Sequence, residues 1–118
     1  GKRLEETVEE TERRLREALR EVYLLILLLA EEAKKKDLKE QNRHEYVFKW
    51  IAFMLMAIGD IFNIAEESKR RLDLFAKWGL HDRNKIDEAK KKIDKLALEA
   101  IERAKKYGDW FLNELDKG

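Results

Sequence analysis

Apolar residues recur every three or four positions along most of the chain, which is the spacing of one buried helix face. Three such stripes predict three long helices, over about residues 3–36, 38–78 and 83–116. The stripe of the first helix is Leu4, Val8, Thr11, Leu15, Leu19, Val22, Ile26, Leu29 and Ala33, and that of the third is Ile86, Ala89, Ile93, Ala97, Ala100, Ala104, Phe111 and Leu115. Helices of similar length with short connections pack as antiparallel neighbours. The predicted fold is therefore all-α, an up-down-up three-helix bundle in which residues 1–118 form one domain.

The breaks between the stripes carry residues that are typical of helix ends. Asp37 followed by Glu40 fits a capping box at the start of the second helix. Gly79 fits the C-terminal cap of that helix, and Asp82 or Asn84 fits the N-cap of the third. These signals predict two short connections.

The second helix carries two apolar stripes, whereas burial in a bundle requires only one. The bundle stripe follows the whole helix and consists of Val47, Trp50, Met54, Ala57, Ile61, Ile64, Ser68, Leu72 and Phe75. About 100° round the helix lies a second stripe, which we call the apolar ridge: Ile51, Leu55, Ile58 and Phe62. The track of the ridge continues into the charged residues Glu66, Lys69 and Asp73, so the extra apolar surface is confined to about residues 48–65. A local second stripe predicts an interaction surface.

Gly59 and Gly108 each precede an aspartate within a predicted helix, and such a pair fits either a helix end or a helix interior. The apolar stripes keep their phase across both glycines, which favours two continuous helices. A glycine inside a helix costs ~1 kcal/mol relative to alanine. Gly59 lies on the flank of the ridge beside Ala52, where small residues allow another backbone to approach.

The sequence WIAFMLMAIGDIFN at residues 50–63 closely resembles the third Bcl-2 homology motif of Bim-like pro-apoptotic ligands of the Bcl-2 family. The matching positions are Trp50, Ile51, Ala52, Leu55, Ile58, Gly59, Asp60, Phe62 and Asn63, and the four ridge residues occupy the motif's hydrophobic anchor positions. The resemblance implies that Leu55 is the central anchor and that Gly59 lies where the groove wall comes close. It also implies that Asp60, on the opposite side of the helix from Ile51, meets an arginine of the groove.

The chain departs from that motif at five positions where the motif is largely polar: Phe53, Met54, Met56, Ala57 and Ile61. Met54, Ala57 and Ile61 belong to the bundle stripe, which indicates a motif grafted into a helical bundle. Phe53 and Met56 belong to neither stripe. Together with Phe48 they are candidate contacts for selectivity.

The resemblance implies a protein that fills the hydrophobic groove of an anti-apoptotic Bcl-2 family protein, competes with pro-apoptotic ligands, and is a monomer when free. Periodicity alone leaves a second hypothesis open, in which the ridge is a homo-oligomer interface or is covered by a fourth element. The four anchors followed by Gly59, Asp60 and Asn63 in the motif's order favour the first hypothesis.

Composition narrows the class of protein further. The 118 residues contain no proline and no cysteine, and 43% are charged, which is typical of long helices and similar to computationally designed helical proteins. Twenty-six basic and 25 acidic residues are interspersed, so no net field attracts nucleic acid or anionic lipid. The short basic runs at residues 34–36 and 90–92 are interpreted as a helix C-terminus and a solvated face.

The sequence also bears on solubility and catalysis. The longest apolar runs, residues 22–30 and 51–58, are shorter than the ~18 to 20 residues of a membrane span, and the charged N-terminal end lacks the pattern of a signal peptide. A soluble protein compatible with a reducing cytosol is expected. His44 and His81 lie far apart without ligand-pair spacing, and phosphate-loop and nucleophile motifs are absent. We therefore predict no metal, no cofactor and no enzymatic activity.

The run from Val22 to Ala30 makes the first helix apolar on all sides, which adds Leu24, Leu27 and Leu28 outside its stripe. In an antiparallel pair these leucines fall near the level of Trp50 to Met54. The extra apolar surface of both helices is therefore expected at one end of the bundle.

Overall fold

The structure, a computed structural model, describes residues 2–36 and 40–117, and it confirms the predicted all-α three-helix bundle. Helix α1 spans Lys2–Lys34, α2 spans Glu40–Lys77 and α3 spans Arg83–Lys117. Each helix packs against the other two, and the bundle measures 61 × 18 × 15 Å. Both α2 and α3 continue through their internal glycines, as the phase of the stripes predicted.

Helix ends differ slightly from the predicted bounds. α1 stops at Lys34, two residues early, because Lys35 N and Lys36 N donate to carbonyls three residues back and so form a turn. The predicted capping box at the start of α2 includes Asp37, which lies outside the described residues.

The connection from α2 to α3 has the predicted cap chemistry. Gly79 has a φ of 69°, a left-handed conformation that glycine adopts without strain. Gly79 N donates to Ala76 O and Leu80 N donates to Phe75 O, both at 3.0 Å, which is the Schellman pattern. At the start of α3, Asp82 Oδ1 accepts from Lys85 N at 3.0 Å, so Asp82 rather than Asn84 is the N-cap.

The core contains the residues of the predicted stripes in three successive clusters, one at each end and one in the middle. The clusters are represented by Ile26, Tyr46 and Phe111 near the end of α1, by Leu19, Ile61 and Ala104 in the middle, and by Leu4, Leu72 and Ile93 at the other end. Burying each large apolar side chain stabilises the bundle by about 1.5–3 kcal/mol. Tyr46 is fully buried although it lies outside the predicted stripe.

Polar contacts set the register of α1 against α2. The hydroxyls of Thr11 and Ser68 lie 2.6 Å apart in the core, and Thr11 also bonds the Thr7 carbonyl at 2.7 Å. At the surface Lys49 Nζ lies 3.7 Å from Glu32 Oε1. Because α1 and α2 are antiparallel, four residues back from Glu32 on α1 and four residues on from Lys49 on α2 place Leu28 level with Phe53. The extra leucines of α1 therefore lie near the motif, as predicted.

Several ion pairs link α2 to α3, and two of them involve half-buried lysines. Lys69 Nζ lies 2.9 Å from Asp94 Oδ1, and Lys90 Nζ lies 3.0 Å from Asp73 Oδ1. The interpretation of residues 90–92 as a solvated face is therefore wrong for Lys90, which is half-buried between the two helices. A long lysine side chain can cover apolar surface while its ammonium group reaches a carboxylate on the neighbouring helix.

Candidate interaction surface

The apolar ridge is largely exposed in the free protein. Leu55 is 66% exposed, Phe62 56% and Ile51 39%, whereas Ile58 is half-buried. Phe48, one turn before Ile51, is also exposed. Monomeric proteins rarely expose contiguous apolar patches of more than a few hundred Å² unless the patch binds something. The ridge therefore remains a candidate contact surface.

The unusual apolar character of α2 also appears in its composition as a whole. The segment Asn42–Lys77 is long and apolar enough, by length and composition, to cross a membrane. Length and composition alone do not distinguish such a helix from a core helix of a soluble bundle, so the expectation of a soluble protein stays a prediction. Ile51, Leu55, Met56 and Phe62 of this segment are exposed, so part of its apolar character belongs to the surface of the bundle.

The ridge lies on the flank of α2 that faces α3, not at the centre of the exposed face. Lys69 continues the track of the ridge, and its ammonium group reaches Asp94 of α3. Phe62, the last ridge residue, lines a cleft together with Leu98 and Ile101 of α3. A partner that covers the ridge must therefore pass close to α3.

The centre of the exposed face of α2 consists of small or polar residues of the motif. Ala52, Gly59 and Asn63 are all exposed there. A Cβ built on Gly59 would meet nothing within 4 Å, so packing within the bundle does not require glycine at this position. By contrast, a Cβ on Gly108 would lie 2.5 Å from Met54 Sδ and 2.8 Å from Trp50 Nε1. Gly108 allows two helices to pack closely, whereas Gly59 has no such role.

Asp60 lies at the other edge of that face, towards α1. It lines a shallow depression with Arg14, Glu17 and Glu21 of α1. Within the described part of the chain, Asp60 forms no hydrogen bond or ion pair. Its carboxylate is exposed and is available to a cation on a partner. A single groove that contacts both the ridge and Asp60 has to wrap around about half of the helix.

The three candidate selectivity residues differ in their surroundings. Phe48 and Met56 are exposed, but Phe53 is half-buried and packs against the core cluster that contains Ile26. Packing against this cluster explains why position 53 is apolar although it lies outside the bundle stripe. Leu28, level with Phe53, is exposed on this flank.

Sequence reasoning missed the residues of α3 that border the ridge. Leu98 is 58% exposed, and it lines the cleft beside Phe62 with the half-buried Ile101. Both residues lie outside the apolar stripe of α3. The available signal was the presence of apolar residues outside the stripe of α3. The sequence prediction used this signal for the first two helices only.

Charged side chains form the margin of the surface. Hydrogen bonds to Glu66, at 2.8 Å, and to Asp94 raise the pKa of Lys69. On the α1 side, the hydrogen bond from Arg14 at 2.9 Å lowers the pKa of Glu67. Across residues 2–36 and 40–117, no group of three histidine or carboxylate side chains is arranged to hold a metal ion. The surface offers apolar contact and charge, which is the chemistry of macromolecular binding.

No protein-family model matches the sequence, and a search of curated proteins found no match.

Proposed function

We propose that this protein is a designed inhibitor of anti-apoptotic Bcl-2 family proteins, in which the bundle presents the ridge of α2 to their hydrophobic groove. The observation that carries the proposal is a coincidence of two independent patterns. Three of the four residues that match the motif's anchors are exposed apolar side chains, and Gly59 has no role in packing within the bundle. The idealised composition supports the origin by design.

Burial of the ridge supplies the affinity in this proposal. Fully burying a leucine, isoleucine or phenylalanine side chain contributes about 1.5–3 kcal/mol. Helix-in-groove recognition uses apolar residues spaced three or four positions apart on one helix face, and the ridge residues are spaced by four, three and four positions. Leu55 and Phe62, the most exposed anchors, have the most surface to bury.

The bundle contributes by ordering the motif before it binds. A free peptide of this length is marginally helical in water, so it loses conformational entropy when it binds as a helix. In the protein, α2 is already held by the bundle stripe against α1 and α3. Pre-organisation of this kind improves affinity without adding a contact.

The charged contact in the proposal is between Asp60 and an arginine of the groove. Because Asp60 has no partner among the described residues, it does not have to give up an internal ion pair when it binds. A charge-assisted hydrogen bond of this kind contributes about 1.5–3 kcal/mol.

A panel of purified anti-apoptotic Bcl-2 family proteins tests the proposal. The protein should bind at least one member and should be displaced by a peptide that carries a native pro-apoptotic motif. Leu55→Glu should abolish binding, whereas Leu74→Glu, at an exposed leucine near the far end of α2, should not. Lack of binding to every member, or equal loss with both variants, would refute the proposal.

Self-association through the ridge and insertion into lipid are the competing outcomes. Sedimentation at several concentrations detects the first, because a homo-oligomer held by the ridge must dissociate on dilution. Co-flotation with neutral and anionic vesicles detects the second. Under the proposal the free protein sediments as a monomer and does not float with either kind of vesicle.

A further inference from the structure

A cleft between α2 and α3 begins where the ridge ends. Its apolar lining includes Phe62 from α2 and Leu98 and Ile101 from α3, and its volume is about 180 Å³. A protein cavity of about 150 Å³ holds a benzene ring. The cleft therefore has room for one apolar side chain of the size of leucine or phenylalanine.

The rim of this cleft carries two carboxylates and one ammonium group. Lys69 Nζ lies 2.8 Å from Glu66 Oε1 and 2.9 Å from Asp94 Oδ1, so the one cation is shared between both acids. These hydrogen bonds raise the pKa of Lys69, which keeps it charged. The rim has a net charge of −1 and therefore favours a partner that bears a basic residue beside its apolar side chain.

The cleft is continuous with the ridge. Phe62 belongs to both, and the ridge follows the flank of α2 that faces α3. A groove that covers Phe62 therefore has to extend its wall over Leu98. The occupant that these features favour is the same partner that covers the ridge, not a separate molecule.

We propose that the cleft formed by Phe62, Leu98 and Ile101 is a second contact site for the same Bcl-2 family protein. It takes one apolar side chain, with a neighbouring lysine or arginine, from the edge of that protein's groove. The inference depends on the proposed function and adds a determinant of selectivity to it. The four anchors are common to the motif, whereas the edge of the groove is free to differ among family members.

Leu98→Lys tests the inference, because it removes apolar contact and brings a positive charge towards the expected basic residue. Leu74→Lys is the matched control, since it makes the same change at an exposed leucine distant from the motif. Leu98→Ala is a second variant that adds no charge. Affinity for each member of the panel and thermal unfolding are measured for the wild type and all three variants.

We expect Leu98→Lys to weaken binding by about tenfold to at least one member, and Leu98→Ala by less, with no change for Leu74→Lys. The preference among members should also move towards that of an isolated peptide of residues 48–65. Equal affinities for Leu98→Lys and Leu74→Lys would overturn the second site, and the proposed function would stand if Leu55→Glu still abolished binding. Failure of the wild type to bind any member overturns both.

Discussion

Replacing each internal glycine by alanine separates the requirements of folding from those of binding. Gly59 and Gly108 both lie inside helices, and alanine is favoured over glycine there by about 1 kcal/mol. A methyl group at Gly59 enters open space. Gly59→Ala should therefore stabilise the free protein by about 0.5–1 kcal/mol and raise Tm by up to about 3–6 °C for a domain of this size.

The same methyl group at Gly108 meets the side chains of Met54 and Trp50 at distances shorter than van der Waals contact. Methionine can move, but the indole of Trp50 is rigid and half-buried. Overpacking of this kind costs about 1–3 kcal/mol, which offsets or exceeds the gain in helix propensity. Gly108→Ala should therefore lower Tm relative to Gly59→Ala, and relative to the wild type if Trp50 has to shift.

Binding should rank the two variants in the opposite order. Under the proposed function, a methyl group at Gly59 faces the partner, so affinity for the groove should fall by about tenfold. Folded Gly108→Ala protein should bind as the wild type does. Thermal unfolding followed by circular dichroism and titration of a purified family member provide the two measurements. If Gly59→Ala raises Tm and leaves affinity unchanged, Gly59 does not face the partner, and our assignment of the motif is wrong.

Three further predictions concern residues of α2. Leu55→Glu should change the free energy of unfolding by less than ~1 kcal/mol and abolish binding. Ile61→Glu, in the core, should lower the free energy of unfolding by ~3 kcal/mol or more, and equal destabilisation by both variants would show that the ridge is part of the core. Asp60→Ala should weaken binding by ~1–3 kcal/mol with little change in Tm, and a large drop in Tm would contradict the absence of an internal partner. Because the hydrogen bond from Arg14 lowers the pKa of Glu67, its contribution to stability is present above the ordinary value of 4.5 and is lost as pH falls. The stability difference between the wild type and Glu67→Gln should therefore shrink below pH 4.5 in urea unfolding, and a difference that persists at pH 2 would rule out this linkage.

Periodicity was enough to predict the three helices and most of the core. An α-helix has 3.6 residues per turn, so a buried face produces apolar residues every three or four positions, whichever element packs against it. The same trace predicted that α2 and α3 continue through their internal glycines. It also distinguished the ridge from the bundle stripe, since Leu55 is exposed and Ile61 is buried in the structure.

The contacts between residues on different helices could not be predicted from the sequence. Gly59 and Gly108 occur in the same Gly-Asp context, and only the approach of Trp50 and Met54 from α2 makes them physically different. Phe53 lies off the bundle stripe of its own helix, but it packs against a core cluster built largely from residues of α1 and α3. In each case the deciding contact joins residues that are distant in the chain, and periodicity along one helix carries no information about it.

Under the proposed function, the position of the ridge beside α3 affects how much each of the four anchor residues contributes to binding. Surface that is already covered in the free protein cannot be buried again on binding. Ile58 is half-buried, so its burial by a partner contributes less binding free energy than burial of the exposed ridge residues. Leu55 and Phe62, the two anchors with the largest exposed fractions, have the most apolar surface left to bury. The motif resemblance ranks Leu55 as the central anchor on other grounds. Under the proposed function, Leu55 and Phe62 therefore bury more apolar surface than Ile58, and contact with α3 accompanies the insertion of Phe62 because Phe62 lines the cleft with Leu98.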